Sequence, residues 1–235
     1  MGSGRLGFSM SHPLDCHTYL YAREKDAVLI DAGCGRGKES ILAAIDSSGV
    51  PRHRISKILL THAHADHAGG AADLAAALGA EVVASAEVAT MLAGPDEDAI
   101  GLTLARRGGT YPTDFTIPPT SVSPAANQRI RAGDLVVDAL ETPGHARGHL
   151  AYLVELGGTR VLFSGDLVFA RGRVVVLGSN DSDPASLAHS ITEVAGVHPD
   201  TMLPGHGELV MSDAGAHISA AAECFRRGQI PPSLL

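Results

Sequence analysis

The stretch that decides the fold of this 235-residue chain is Thr61-His62-Ala63-His64-Ala65-Asp66-His67. It directly follows the apolar run 55–60, which predicts a buried strand, so the stretch falls in the loop beyond that strand. Its imidazoles and its carboxylate are the nitrogen and oxygen ligands that zinc, iron and manganese accept. One tetrahedral ion cannot use all of these side chains at such short spacing and keep a position for substrate, whereas two neighbouring ions can. The stretch therefore predicts a site for a pair of metal ions.

More ligand-type side chains follow in short glycine-containing motifs. These are His145 at the end of Thr-Pro-Gly-His, Asp166 at the end of Ser-Gly-Asp, and His206 within Pro-Gly-His-Gly. The ordered set resembles the metallo-β-lactamase superfamily of binuclear metallohydrolases. Within that superfamily, the segments 61–67, 142–149 and 165–169 are most similar to the glyoxalase II-type members, the hydroxyacylglutathione hydrolases.

The resemblance implies a fold, a cofactor and a ligand set. The fold is an α/β (α+β) four-layer αββα sandwich, in which loops along one edge of two paired sheets hold the ligands. The cofactor is a pair of divalent metal ions, zinc in the first instance, with iron or manganese as alternatives. Three residues hold each ion, and one carboxylate bridges the pair. In that order, the residues are His62, His64 and His145; Asp66, His67 and His206; and Asp166.

The same resemblance implies a hydrolytic reaction. A hydroxide that bridges the two ions attacks the acyl carbon of a substrate, a thioester or a related ester in the first instance. One ion polarises the carbonyl group, and the pair stabilises the oxyanion. Asp66 is the expected catalytic residue, because its second oxygen can orient the hydroxide. A thiolate leaving group suits this sequence, since a thiolate needs no strong general acid and the motifs contain no obvious extra proton donor.

Other activities share parts of this pattern. Lactonases of the superfamily have the same ligands, but they carry a tyrosine shortly after the bridging carboxylate, where this chain has Leu167-Val168-Phe169. Many β-lactamases of the superfamily lack a carboxylate at the position of Asp166, so that residue disfavours a β-lactamase-like amide hydrolase. A persulfide dioxygenase that uses a single iron ion is a further alternative.

A competing motif lies near the beginning of the chain. The run 28–37 is an apolar strand followed by Asp31 and spaced glycines, and it resembles the first motif of S-adenosylmethionine-dependent methyltransferases. A methyltransferase has no use for the cluster of histidines and aspartates downstream. Hydrolases of the superfamily also have an Asp-x-Gly here, where Asp31 is expected to help fix the loops near the site.

The chain is predicted to form a single domain over residues 1–235. Apolar runs predict strands in two clusters with helices before, between and after them, which by itself supports α/β or α+β. The run 174–177 is among the predicted strands, and 67–78 is predicted to be one continuous helix. The stretch from about 94 to 128 is rich in proline and glycine and predicts no regular structure. We interpret it as an insertion that can lie over the active site as a lid.

Four further residues are weaker candidates for the site. His149 and Glu208 lie close to ligand motifs in the sequence, and each is expected either to orient a ligand or to have a structural role. Tyr111 and Phe115 belong to the predicted insertion and could contact the substrate if that insertion is a lid.

Composition narrows the partners and the compartment. A net charge of −8 argues against a large phosphate-binding surface, so the expected partner is a small-molecule acyl substrate and not a nucleic acid. The sequence contains no apolar run long enough to predict a membrane partner, and it leaves a homodimer open. The 3 cysteines form no CxxC pair, and no leader-like segment opens the chain. These features predict a soluble, cytoplasmic protein.

Overall fold

The computed structural model describes residues 1–94, 96–125 and 129–235, and within them the strands form two sheets. In the first sheet, strands β2 to β5 run parallel, and β1 pairs with β2 in the antiparallel sense. In spatial order, these strands are β1 (Tyr19–Ala22), β2 (Ala27–Ile30), β3 (Ile55–Leu59), β4 (Glu81–Ala84) and β5 (Ser123–Pro124). The helices of this half are α1 (Lys38–Ser47), α2 (Ala65–Ala68), α3 (Ala71–Leu78), α4 (Ala86–Ala93) and α5 (Leu102–Arg107).

The second sheet is built from the later part of the chain. Its strands pair in the antiparallel sense except for β9 and β10, which are parallel. In spatial order, they are β10 (Thr201–Pro204), β9 (Thr159–Gly165), β8 (Leu150–Leu156), β7 (Leu135–Glu141) and β6 (Arg129–Ala132). Helices α6 (Pro184–Ala195) and α7 (Ala214–Arg226) belong to this half.

Three apolar clusters separate four layers of secondary structure. The first cluster lies between the first sheet and α1, α3 and α4, and the third lies between the second sheet and α6 and α7. The middle cluster joins the two sheets face to face. Strand β2 shows why, because Ala27 and Leu29 point to the helices while Val28 and Ile30 point to the other sheet. This arrangement is the four-layer αββα sandwich that the resemblance implied.

Strand direction brings the ligand motifs to one edge of the sandwich. Strands β7 and β9 both run antiparallel to β8, and β10 runs parallel to β9, so all three end on the same side. The loops that follow them carry His145, Asp166 and His206. On the first sheet, the parallel strands β2 and β3 are followed by Asp31 and by the motif 61–67. The buried hydroxyl group of Tyr152 donates a hydrogen bond to the carbonyl oxygen of Leu60 at 2.7 Å, which ties the second sheet to the start of that motif.

Two predictions of secondary structure are wrong in detail. Residues 174–177 do not form a strand, because the backbone of Val174 makes an isolated bridge with Ser233 and the carbonyl oxygen of Val175 is bonded to His145. The predicted helix 67–78 is two helices, α2 and α3, separated by Gly69 and Gly70. At Gly70 the backbone N–H group bonds to the carbonyl oxygen of Gly33 at 2.9 Å instead of continuing the first helix.

The predicted insertion at 94–128 is not devoid of regular structure. It contains helix α5, which is too short to leave a periodic signal in the sequence, and it contributes β5 to the first sheet. Positions 95 and 126–128 of this stretch lie outside the described residues. Among the helices that the structure describes, no span combines the length and the apolar character needed to cross a membrane.

Candidate metal centre

A tight turn between strand β3 and helix α2 sets the geometry of the central motif. The strand ends at Leu59, and His64 occupies the N-cap position of α2, with an extended backbone. The three histidines of the motif, His62, His64 and His67, are all buried, although imidazole is a side chain that usually reaches water. Burial of several titratable groups around one point indicates a functional centre.

The first group of candidate ligands consists of His62, His64 and His145. The Nδ1 atom of His64 lies 3.0 Å from Nε2 of His62 and 3.1 Å from Nε2 of His145. Nitrogen atoms bound tetrahedrally to one zinc ion lie about 3.3 Å apart, as follows from a Zn–N distance of about 2.05 Å. The three nitrogens therefore converge closely enough to share an ion.

The second group consists of Asp66, His67 and His206. Oδ2 of Asp66 lies 3.0 Å from Nε2 of His206 and 3.7 Å from Nε2 of His67. The ligand atoms of all three residues lie within 4.8 Å of one another. Mixed nitrogen and oxygen ligation of this kind suits zinc and also iron or manganese.

The Asp166 carboxylate lies between the two groups. Its Oδ1 atom lies 3.3 Å from Nε2 of His67, and its Oδ2 atom lies 3.5 Å from His145 and 3.6 Å from His206. It therefore faces a member of the first group and two members of the second at once. This is the position that a bridging ligand requires.

Hydrogen bonds outside the centre fix which nitrogen of each imidazole faces inward. Each bond occupies the ring nitrogen that does not point to the centre, so the other keeps its lone pair for an ion. The four bonds run from His62 Nδ1 to Thr61 Oγ1 (2.9 Å), His64 Nε2 to Asp181 Oδ2 (2.9 Å), His67 Nδ1 to Asp31 Oδ2 (2.8 Å) and His145 Nδ1 to the carbonyl oxygen of Val175 (3.0 Å).

Orphaned atoms show that the centre fits a cation. Nε2 of His67 and Oδ1 of Asp166 are buried and lie 3.3 Å apart, but neither makes a hydrogen bond with suitable geometry to any residue that the structure describes. Burying such atoms without a partner costs free energy, and a bound ion would satisfy both. The donor set and these orphaned atoms together fit divalent metal ions.

The electrostatics of the centre agree with this fit. Burial lowers the pKa of His62, and it lowers the pKa of His145 to about 4, so both imidazoles are neutral at pH 7 and able to ligate. Burial opposes protonation of His67 as well, but its neighbours Cys16, Asp166 and Asp31 raise its pKa. The negative charge of the buried carboxylates would therefore stabilise divalent ions bound at this centre.

The comparisons with known proteins agree with the geometry. A family model described as the metallo-beta-lactamase superfamily matches residues 12–206. The chain belongs to that superfamily. Its members bind divalent metal ions, typically zinc, and this chain has clusters of histidine and aspartate that could hold such ions.

Curated relatives within the superfamily include hydroxyacylglutathione hydrolases. That of Pseudomonas aeruginosa (strain LESB58) is 28% identical over 192 residues, which are 82% of this chain and 60% of the relative. The uncharacterised protein YobT of Bacillus subtilis (strain 168) is 28% identical over 221 residues, 87% of this chain and 88% of its own length. The chain thus spans about 60% of the length of the first hydrolases it matches.

Solved structures of the superfamily share the fold. The metallo-beta-lactamase SMB-1 bound to 2-mercaptoethanesulfonate has a TM-score of 0.70 and 24% sequence identity, covering 93% of this chain and 90% of that one. A metallo-beta-lactamase of Cronobacter sakazakii has a TM-score of 0.70 at 23% identity. These similarities support the four-layer architecture.

Of the two weaker candidates near the ligand motifs, His149 lies beside the candidate metal centre and Glu208 does not. Nε2 of His149 accepts a hydrogen bond from the backbone N–H group of Asp166 at 3.2 Å, and its Nδ1 atom bonds to Thr142 Oγ1 at 2.8 Å. His149 therefore positions the backbone of Asp166. Glu208 is exposed and pairs with Arg171.

The aromatic candidates of the predicted insertion divide in the same way. The side chain of Tyr111 lines a cavity that opens onto the metal centre. Phe115 is buried behind it, with ring centroids 4.7 Å apart, and the Arg36 guanidinium lies 5.1 Å from the ring of Phe115. Phe115 thus supports the insertion and does not face the cavity.

The sequence did not identify two residues that hold the candidate metal centre in place. His17 is buried, and its Nε2 atom bonds to the carbonyl oxygen of Gly207 at 2.9 Å, which fixes the loop that carries His206. Asp181 binds His64, a ligand candidate 117 positions away. Asp181 lies in the polar run 179–183 before α6, where Asp183 caps the helix, so the sequence offers no signal that separates the two aspartates.

Replacing Asp181 with asparagine is expected to weaken zinc binding about 10- to 100-fold, the usual cost of losing a carboxylate that orients a ligating histidine. The amide can present its NH₂ group to His64 and favour the wrong ring tautomer, which removes the Nδ1 lone pair from the centre. Zinc affinity measured against a competing chelator tests this. Asp213→Asn is the matched control, because Asp213 is exposed and has a left-handed backbone that asparagine also adopts. Equal affinities for the two variants would contradict the role of Asp181.

Proposed function

We propose that the chain is a metal-dependent hydrolase that binds two divalent ions and cleaves an acyl bond, that of a thioester or related ester in the first instance. The observation that carries the proposal is the convergence of two ligand groups on either side of one shared carboxylate, Asp166. In this proposal His62, His64 and His145 hold one ion, and Asp66, His67 and His206 hold the other. A binuclear centre with one bridging carboxylate is suited to hydrolysis.

The metal ions and the protein contribute different parts of the chemistry. The bound pair of ions would supply a water acidic enough to be a nucleophile at neutral pH and the positive charge that polarises an acyl carbonyl. Water adds to the acyl carbon, the bond to the leaving sulfur or oxygen breaks, and the proton goes to the leaving group. The products are a carboxylic acid and a thiol or an alcohol.

Asp66 is the residue we assign to orienting the attacking water. Its side chain is 21% exposed, whereas those of Asp166 and Asp31 are 9% and 3% exposed. One of its oxygens contacts His206, and the side chain also borders the cavity, so it can accept a hydrogen bond from a water there. The geometry gives Asp66 access that the other carboxylates lack.

Two observations favour a thioester or an open-chain ester as the substrate over a lactone or an amide. Several relatives of the chain are named hydroxyacylglutathione hydrolases, which act on thioesters. The buried Phe169 lies with its ring centroid 6.4 Å from that of His206, and it lacks the hydroxyl group of the tyrosine expected in lactonases. A lactonase and a β-lactamase-like amide hydrolase stay as alternatives within the same chemistry.

Two further parts of the proposal concern the metal and the compartment. Zinc is proposed because neutral imidazoles dominate the ligand groups, with iron or manganese as the alternatives. A reducing compartment, the cytoplasm, is proposed because Cys16, Cys34 and Cys224 are all free thiols in the structure.

Proton release in a pH-stat tests the proposed reaction. Zinc-loaded protein is offered thioesters, esters, lactones and β-lactams, and we expect turnover of thioesters or esters that stops with a chelator and returns with zinc. Turnover of lactones or β-lactams alone would select the corresponding alternative. If protein of verified zinc content releases no protons from any substrate of the panel, the result would contradict acyl hydrolysis.

A further inference from the structure

One large cavity opens directly onto the candidate metal centre. It has a volume of about 560 Å³, within the range of small-molecule sites, and its floor includes His64, Asp66, His145, Asp166 and His206. Any substrate whose carbonyl group reaches the centre must therefore lie in this cavity.

Most wall residues of the cavity are aliphatic, and they come from four separate segments. The N-terminal loop contributes Leu6, the segment around α5 contributes Leu102 and Leu104, the segment 175–179 contributes Val175 and Leu177, and the segment 231–235 contributes Leu234 and Leu235. The last segment is held in place by the backbone N–H group of Leu234, which bonds to the carbonyl oxygen of Val174 at 3.0 Å.

Three of these wall residues expose apolar surface to solvent. Leu6 is 41% exposed, Leu104 is 42% exposed and Leu235 is 72% exposed, although large aliphatic side chains usually lie inside. An apolar group in the cavity would cover this surface, at a gain of about 25 cal/mol for each Å² removed from water. The exposed leucines surround the cavity in which the substrate must lie. The part of the substrate that contacts them should therefore be apolar.

The scarcity of charged side chains in the cavity walls also favours an apolar group. Apart from the residues of the metal centre, Arg107 is the one charged side chain among the described residues that line it. A strongly charged substrate would therefore meet few partners along the walls, whereas a hydrocarbon would be matched over most of its length.

We infer that the substrate carries an apolar aliphatic acyl chain, which lies against Leu6, Leu104 and the segment 231–235 while its carbonyl group faces the metal centre. This inference rests on the proposed hydrolase function and specifies its substrate class. The acyl chain sets specificity in the manner of a hydrophobic pocket, in which each added methylene strengthens binding.

Thioesters of N-acetylcysteamine with acyl groups from acetyl to decanoyl test the inference. For zinc-loaded protein, kcat/KM is expected to rise about fourfold for each buried methylene until the cavity is filled. Leu104→Gln is expected to lower kcat/KM for the octanoyl substrate about tenfold and to change it less than about twofold for the acetyl substrate. The matched control is Leu156→Gln on β8, where the leucine is 49% exposed and does not line the cavity.

The outcomes separate this inference from the proposed function. Turnover that is equal across the series, or that falls with chain length, would overturn the apolar acyl chain and leave the hydrolase intact. If no thioester or ester is cleaved, the proposed function fails, and equilibrium binding of octanoate and acetate then decides the inference. Tighter binding of octanoate that Leu104→Gln weakens would support the apolar subsite, and equal binding of both carboxylates would overturn it.

Discussion

Replacing Asp66 with asparagine is expected to lower turnover of the best acyl substrate about 10²- to 10⁴-fold, the range for loss of a positioned proton-handling group. The carboxylate contacts His206 at 3.0 Å and is the most exposed acid of the centre, so in the proposed mechanism it would serve both the second ion and the attacking water. The amide keeps the shape of the side chain and removes its charge. Steady-state kinetics at saturating zinc, with the zinc content of each sample measured, give the size of the loss.

The same Asp213→Asn variant controls for the loss of one negative charge, and it should keep full activity. Circular dichroism of Asp66→Asn should match the wild type, because the side chain borders the cavity and does not belong to any of the three apolar clusters. If the Asp66→Asn variant keeps the kcat/KM of the wild type, Asp66 does not take part in catalysis as the proposed mechanism requires.

Replacing Gly205 with alanine lowers turnover about 10²-fold while the protein still folds. A Cβ atom at this position would overlap Oδ1 of Asp166 and lie 2.6 Å from Cε1 of His67, so the Asp166 carboxylate has to move. A displacement of about 1 Å at the reacting centre costs about 10²-fold in rate. The crowding is also expected to lower the free energy of unfolding by about 1–3 kcal/mol.

Gly94→Ala is the matched control for that change. A Cβ atom on Gly94 would meet no described atom within 4 Å, so this variant should keep the activity and the stability of the wild type. Urea denaturation distinguishes a displaced carboxylate from an unfolded protein. A folded Gly205→Ala variant with normal turnover and two bound ions would show that Asp166 does not need its present position.

The family resemblance of the ligand motifs predicted the four-layer architecture and the convergence of those motifs, whereas the apolar pattern alone supported only α/β or α+β. Strand direction explains the convergence. Each motif follows an apolar strand, and parallel strands end at the same edge of a sheet. The structure brings all seven predicted residues together there, and their assignment to two ions stays a prediction. Asp31 follows β2 directly and accepts hydrogen bonds from the backbone N–H and the hydroxyl group of Thr61, and it also bonds to His67.

The features that the sequence did not predict depend on tertiary contacts. The apolar run 174–177 predicts a strand, and Val174 and Val175 are indeed buried, but the backbone of this run bonds to His145 and to the segment 231–235 instead of to a sheet. The break at Gly69 and Gly70 results from close backbone packing against the loop that follows β2, which no local pattern encodes. Asp181 acts through a histidine far away in the chain, so only the folded structure identifies it.

The most direct test of the central claim is the number of zinc ions that each chain retains. Wild-type protein equilibrated with zinc, passed through a desalting column and measured by plasma mass spectrometry is predicted to hold about two ions per chain. A variant with both His62 and His145 replaced by alanine should lose one of them. Retention of a single ion by the wild type, or of none, would contradict a binuclear centre.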